Sequence, residues 1–284
     1  MTDRVRPPQQ QEPPGVTAKM EPRPRDSMSD YEGRALFAGQ RALITGGDSG
    51  IGRAVAVAFA KEGADIAIAY LNEHEDAKGT EELVRAQGRQ CVLLPGDLAE
   101  ARQCRHVVEE TVRQLGGLNI LVNNAATQWP VDKPEDLTEE QWLRTFDVNI
   151  HSYFRVTQAA LAYLTDGDVI VNTGSVNGLR GNKSLIDYSA TKGAIHAWTY
   201  AMAQALAGRR IRVNCVAPGP VWTPLIPSTF PPERVEKFGL QVPFKEAAQP
   251  DDVAPSYVFL ASNRLSGYYS GEVIAPIGGE TMPG

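Results

Sequence analysis

A tyrosine and a lysine, Tyr188 and Lys192, stand four residues apart in Tyr-Ser-Ala-Thr-Lys. The run from Asp187 to Ala207 reads as helix, so four residues make about one turn and both side chains leave the same face. A phenol titrates near pH 10 and is a poor base at neutrality. An ammonium beside it favours the phenolate and brings that pKa down, which makes the pair a proton donor and acceptor. Alone, the spacing equally fits an exposed helical pair. A second candidate is the turn Thr45-Gly46-Gly47-Asp48-Ser49-Gly50-Ile51-Gly52. Gly46, Gly50 and Gly52 form G-x-x-x-G-x-G between an apolar strand, Arg41 to Thr45, and a helix from about Gly50 to Lys61. Missing side chains allow a tight turn and let a pyrophosphate approach the free N–H groups of the helix start. Asp48, Ser49 and Ile51 complete that turn.

Three further segments follow apolar runs. Asp97 and Leu98 come after the third strand. Asp97 can accept from an adenine amino group or cap the next helix. Asn123-Asn124-Ala125-Ala126, after the fourth, brings amides and small residues that suit a cofactor or a hydrogen-bonded turn. Ser175 ends the fifth in Asn172-Thr173-Gly174-Ser175-Val176. No histidine follows at useful spacing and there is no Gly-x-Ser-x-Gly elbow. The hydroxyl is therefore read as orienting a substrate carbonyl, not as a nucleophile.

The elements that must position these groups alternate along the chain. Strands are expected at 65–70, 90–94, 118–122, 169–172, 211–216 and 272–275. Helices are expected at 74–87, 99–115 and 251–261, with a long one from about 139 to 164 capped by Thr138. Apolar strands alternating with helices predict an α/β doubly wound parallel sheet, Rossmann-like, with ligands at the carboxyl ends of its strands. Residues 39–284 read as one domain. Within it, a proline-rich stretch of about 222–249 reads as a lid. Gln128, Trp129, Asn177 and Leu179 are expected to line an apolar pocket beneath it. Residues 1–38 read as an extended or disordered arm, for six of the 20 prolines fall there (Pro7, Pro8, Pro13, Pro14, Pro22 and Pro24) and little apolar surface is available to fold it. Met20, Met28 and Tyr31 would anchor the arm if it lay on a neighbouring subunit.

The chain has 284 residues and a net charge of −6, which argues against a nucleic-acid partner. No segment approaches the roughly 18 apolar residues of a membrane span, and the charged, proline-rich start does not read as a signal peptide. Cys91, Cys104 and Cys215 have no metal-ligand spacing, so no metal is expected. Their odd number suits free thiols in a reducing cytoplasm.

Thr45 to Gly52, Asn123 to Ala126, Asn149, Ser175, Tyr188, Lys192 and Pro218-Gly219 occur in this order across about 39–280. Together they resemble the short-chain dehydrogenase/reductase family. The proline-rich extension, the Gly-Gly-Asp-Ser-Gly-Ile-Gly turn and Tyr70 to Ala77 further resemble a bacterial subgroup with N-terminal arms. Ala126 departs from the glycine usual there. The resemblance implies an NAD(P)-dependent oxidoreductase that interconverts a carbonyl and an alcohol of a small or medium-sized molecule by hydride transfer, as a homotetramer. It implies Tyr188 as general acid/base and Lys192 as the group that lowers its pKa and holds the nicotinamide ribose. Ser175 would bond the substrate oxygen, and Asn149 would hold a relay water. Ala125 and Asn123 would lie by the cofactor with Thr173, and Pro218, Gly219, Val221 and Thr223 by its carboxamide. An acid closing the second strand would favour NAD. Here Tyr70, Leu71 and Asn72 stand there, with Glu73 and Glu75 beyond and no basic residue nearby, so the reading leans to NADP. Two other classes remain: a nucleotide-sensing regulator without turnover, which would be expected to lose Tyr188 or Lys192, and a stress or structural protein whose arm binds partners.

Overall fold

The structure, a computed structural model, describes residues 5–281; positions 1–4 of the expected arm and 282–284 of the expected domain lie outside the described residues. The chain runs β1 (Arg41–Thr45), α1 (Gly50–Lys61), β2 (Asp65–Tyr70), α2 (His74–Arg85), β3 (Cys91–Pro95), α3 (Ala101–Leu115) and β4 (Ile120–Asn123). It continues through α4 (Glu139–Phe146), α5 (Ser152–Ala160), β5 (Val169–Thr173), α6 (Val176–Arg180), α7 (Ile186–Leu206) and β6 (Arg212–Val216). It closes with α8 (Leu225–Thr229), α9 (Pro232–Glu236), α10 (Pro250–Ala261), α11 (Asn263–Ser266) and β7 (Val273–Ile274).

The seven strands form one parallel sheet in the order β3-β2-β1-β4-β5-β6-β7. Strand side chains alternate between faces, and the two cores show it. Ala42, Ile44, Ile66, Ile68, Ile120 and Val122 pack with α1 and α10. Leu43, Ala67, Leu121 and Ile170 pack with α3, α5 and the end of α7. Both faces are thus covered, which is why the strands read as unbroken apolar runs. The order reverses between β1 and β4, where such sheets open a crevice at their carboxyl ends.

The long helix expected at 139–164 is not a single α-helix. Asp147–His151 is a π turn between α4 and α5. Its Asn149 ties both its amide atoms to the backbone of Thr127, at 2.8 Å each, and also bonds Thr191. Such single-turn widenings cluster at functional sites. The segment 222–249 holds two short helices, α8 and α9, and is pinched at its base by Trp222 N–H to Ala248 O and Ala248 N–H to Pro220 O, both 2.9 Å.

Residues 5–38 lie against the rest of the same chain. Met20 and Met28 are buried and Tyr31 is half-buried. Glu62, fully buried at the end of α1, gathers this segment. Its carboxylate accepts from the N–H of Arg34 at 2.7 Å, the N–H of Leu36 at 3.0 Å and the hydroxyl of Tyr31. A buried carboxylate is tolerated only when so paired. Lys61 donates to the carbonyls of Met28 and Tyr31 at 2.6 and 2.8 Å. Glu62→Ala leaves these three partly buried donors without an acceptor; a fully buried group left unpaired costs roughly 1–3 kcal/mol, and these, open to some water, cost less. A loss of about 2–4 kcal/mol in denaturant unfolding is expected, and an unchanged midpoint would mean the arm is not held here.

Candidate active site

Two clefts open above the carboxyl ends of the strands and meet at Tyr188, which lines both, as do Ile51, Thr173, Thr223 and Leu225. The first runs over the glycine turn and the ends of β2, β3 and β4. The second runs from Ser175 under the 222–249 segment.

The turn after β1 has the form a dinucleotide needs. Gly46 and Gly50 adopt φ of +64° and +52°, which L side chains avoid, and a Cβ on Gly52 would collide with the carbonyl of Gly46. Ser49 makes no side-chain cap on α1, and the Asp26 carboxylate bonds the backbone of Gly50, which leaves the other first-turn N–H groups for a phosphate. Gly46, Asp48, Ser49, Gly50 and Ile51 line the first cleft. Gly52 does not, and serves the close packing instead. Arg53, which the sequence reading passed over, braces the turn from behind. It is buried, donates to the carbonyl of Asp48 at 2.8 Å and pairs with Asp76 at 3.1 Å. Nothing but its place at the head of the helix marked it in the sequence.

Tyr70 and Leu71 line the same cleft, whereas Asn72 lies outside it. Glu73 lines it and Glu75 does not; Glu75 is exposed and paired to Lys78 at 2.8 Å. Asp48 is buried beside Glu73. Burial, then the Glu73 charge, pushes its carboxyl up to about 7. Two carboxyl groups, Asp48 and Glu73, therefore stand in the cleft although no acid closes β2 itself. Asp97 and Leu98 line the cleft, and Asp97 already bonds the N–H of Ala99 at 2.9 Å and pairs with Arg144 at 2.8 Å. Asp97 therefore caps the segment into α3, and Arg144, an ordinary surface helix arginine by sequence, joins the wall. Ala125 and Thr173 line it too. Asn123 does not: it is fully buried and donates to Thr157 and Asn172 inside the sheet. It is Asn124 that faces the cleft, donating to the carbonyls of Thr45 and Gly46 at 3.1 Å. Adjacent strand residues point oppositely, so of this pair only one can reach a ligand.

Pro218, Gly219, Val221 and Ser175 line the second cleft. Of the expected pocket residues, Gln128 and Asn177 lie there. Trp129 lies in the first cleft and Leu179 in neither. The lining is mixed rather than apolar, with Asn177, Arg234 and Lys237 beside Leu225, Ile226 and Phe230. Asn149 is buried under the site, lining neither cleft.

Tyr188 and Lys192 leave the same face of α7, and both line the first cleft. Lys192 is buried and donates to the carbonyl of Thr173 at 2.8 Å. Its ammonium lies 5.4 Å from the Tyr188 ring centre and 5.6 Å from that of Tyr153. Burial pulls its pKa down to about 7. Burial also pushes the Tyr188 phenol up to about 12, and the opposing pull comes from a hydrogen bond with Ser175. This corrects the expectation that the lysine acidifies the phenol: desolvation disfavours both charged forms and dominates here. His196, one turn beyond Lys192, is buried against Gly174, where a Cβ would strike its ring; its Nε2 is 3.5 Å from the Ser175 N–H. Burial, then Lys192, holds it down at about 4, so it is neutral.

A family model described as Enoyl-(Acyl carrier protein) reductase matches residues 46–281. General stress protein 39 of Bacillus subtilis (strain 168) is 52% identical over 266 residues, 94% of this chain and 93% of that one. The chloroplastic NADPH-dependent aldehyde reductase 1 of Arabidopsis thaliana is 47% identical over 275 residues, 95% of this chain and 96% of that one. A short-chain dehydrogenase from Burkholderia cenocepacia J2315, solved in complex with NADP, superposes with a TM-score of 0.81 at 32% identity, covering 86% of this chain and 98% of that one.

The lysine's pKa carries a consequence for stability. Its value of about 7 in the fold, against the ordinary 10.5, means that the charged form is penalised there. That penalty is full below pH 7, fades between 7 and 10.5 and vanishes above. Thr173 O keeps a second donor, the Tyr153 hydroxyl at 3.2 Å. Lys192→Met is therefore expected to melt above the wild type at pH 6, with the gap closing toward pH 10. An equal or lower melting temperature at pH 6 would remove the penalty.

Proposed function

This chain belongs to the short-chain dehydrogenase/reductase family and is an NAD(P)-dependent oxidoreductase; on that premise we propose that it interconverts a carbonyl and an alcohol with Tyr188 as general acid/base. The observation that carries the proposal is the place of Tyr188, at the junction of the glycine-turn cleft and the cleft under 222–249. When bound there, the nicotinamide supplies or accepts the hydride. A phenol raised to about 12 is protonated at neutral pH, so its Oη stands ready to donate to a carbonyl oxygen, the direction of reduction. Ser175 bonds the same phenol and orients the oxygen beside it. Lys192 can exchange its proton near neutrality and holds the ribose beneath. Asn149 fastens α4–α5 to the Thr127 backbone and to Thr191 on α7, between the two members of the reacting pair, and would hold the relay water.

Residues of the glycine turn, Tyr70 and Leu71, Asp97 and Leu98, Ala125, Thr173, Pro218, Gly219, Val221 and Thr223 then hold the dinucleotide. NADP is the preferred form in this reading, supported by the NADP-bound and NADPH-dependent relatives. The substrate is a small or medium-sized carbonyl compound or alcohol, and the polar side chains of the second cleft favour one that is itself polar. A homotetramer fits the exposed Leu143, Phe154, Tyr163 and Tyr200, and a cytoplasmic site fits the free, buried thiols of Cys91, Cys104 and Cys215. The acidic net charge of −6 favours no nucleic-acid partner. No helix among the described residues is long and apolar enough to cross a membrane. The curated relatives align across about 95% of the chain while the solved structure aligns with 86%, which supports a subgroup that carries the N-terminal arm, residues 1–38, before a dehydrogenase domain with a lid at 222–249.

Tyr188→Phe is expected to lower kcat by about 10²- to 10⁴-fold, the scale of a lost general acid, while NADPH binding persists. Near-normal turnover by the folded variant would remove the tyrosine from its role. Glu73→Gln removes a negative charge from the end of β2 and is expected to shift the ratio of kcat/KM further toward NADPH over NADH. An unmoved ratio would place the 2′ position of the ribose elsewhere.

A further inference from the structure

The N-terminal arm reaches the first cleft. Pro13, Pro14 and Gly15 form part of its lining, opposite Ser49, Gly50 and Ile51 of the glycine turn. They carry no charge and no side-chain donor. They share one cleft with the start of α1, and an apolar wall beside a helix start keeps water from a bound phosphate and strengthens its interaction with the N–H groups.

The same arm is fastened on both sides of the cleft. On the 222–249 side, a Cβ on Gly15 would collide with the carbonyl of Pro224. Gln11 N–H donates to Pro227 O at 2.8 Å, and Arg6 Nη1 donates to Phe238 O at 2.8 Å with its guanidinium 4.4 Å from the Trp222 ring centre. The Trp222 indole N–H donates to Pro22 O at 2.8 Å, and Met20 packs with Trp222, Ile226, Phe230 and Val235. On the sheet side, Thr17 N–H donates to Asp76 at 2.8 Å and Asp26 pairs with Arg53 at 3.3 Å, both deeply buried. Arg25 pairs with Asp252 of α10 at 3.2 Å.

We infer that Pro13, Pro14 and Gly15 are a cofactor-contacting wall of the dinucleotide site, and that the arm is a strap joining the 222–249 segment to α1, α2 and α10. This rests on the cofactor reading above. The segment cannot lift from the cleft without peeling the strap, so the strap sets how fast the dinucleotide leaves.

The test uses the full-length protein and NADPH as probe. Hydrogen exchange with and without NADPH reads the arm directly: the amides of Gln11 and Thr17 are expected to gain protection on binding. Stopped-flow displacement reads release. Gly15→Val pushes the arm off Pro224 and is expected to speed NADPH release about tenfold, since altered contacts act mostly on dissociation. Arg6→Ala, which removes the stacking on Trp222 without crowding any backbone, is expected to speed it about threefold, and it carries the test if Gly15→Val does not fold. Wild-type release rates in a folded variant, or arm amides indifferent to NADPH, overturn the strap alone. Failure of the wild type to bind NADPH or NADH overturns the cofactor reading and the strap with it.

Discussion

The ammonium of Lys192 donates to the carbonyl of Thr173 at the last residue of β5, with aromatic rings of Tyr153 and Tyr188 near it. A cation in this position has lost its water and has few substitutes for it, so its charged form is disfavoured. The surrounding fold must hold it there. β5 is paired on both sides, and α7 is packed along much of its length against α4, α6 and β6. That rigidity keeps an uncomfortable group where it can exchange a proton near neutrality. The same desolvation keeps the neighbouring phenol protonated. Two groups whose charged forms are both disfavoured put a protonated phenol beside an amine shifted down to about 7, and shifts of this kind cluster at active sites.

Around this pair the structure distributes its acids and bases by burial. Arg53 and Glu62 are both buried; Arg53 serves the carbonyl of Asp48 as well as its acid partners, and Glu62 serves two backbone N–H groups and a phenol. Arg53 fixes the carbonyl of Asp48 and so the shape of the glycine turn. Glu62 collects the free N–H groups of Arg34 and Leu36 where no secondary structure would. A segment rich in proline cannot satisfy itself by regular hydrogen bonding, and Glu62 replaces part of what a helix or strand would have supplied. Disorder, the simplest expectation for such composition, does not follow when a folded domain offers buried partners. In the glycine turn, by contrast, burial and the charge of Glu73 outweigh the hydrogen bonds to Asp48, and its carboxyl rises.

The chain itself determined the sheet, its parallel sense, the placing of ligands at its carboxyl edge and the identity of Tyr188, Lys192, Ser175 and the glycine turn. The sheet and the turn follow from short-range rules, apolar runs between helices and glycines where only φ above zero closes a turn; one helical turn sets Tyr188 and Lys192 on one face, while their roles and that of Ser175 came from the resemblance to the family. What depended on which face a residue presents after folding was decided only in three dimensions. Asn123 and Asn124 are chemically identical neighbours, and the pleat sends one into the core and the other to the cleft. The helix of 139–164 is uniform in pattern, yet contacts from Thr127 and Thr191 widen it at Asn149. Trp129 and Gln128 fall into different clefts. Arg53, Arg144 and the proline arm joined the site through partners between 23 and 200 residues away, and the direction of the Tyr188 pKa followed from burial. Local sequence carries conformational preference, whereas desolvation and long-range pairing arise only when distant segments close over one another.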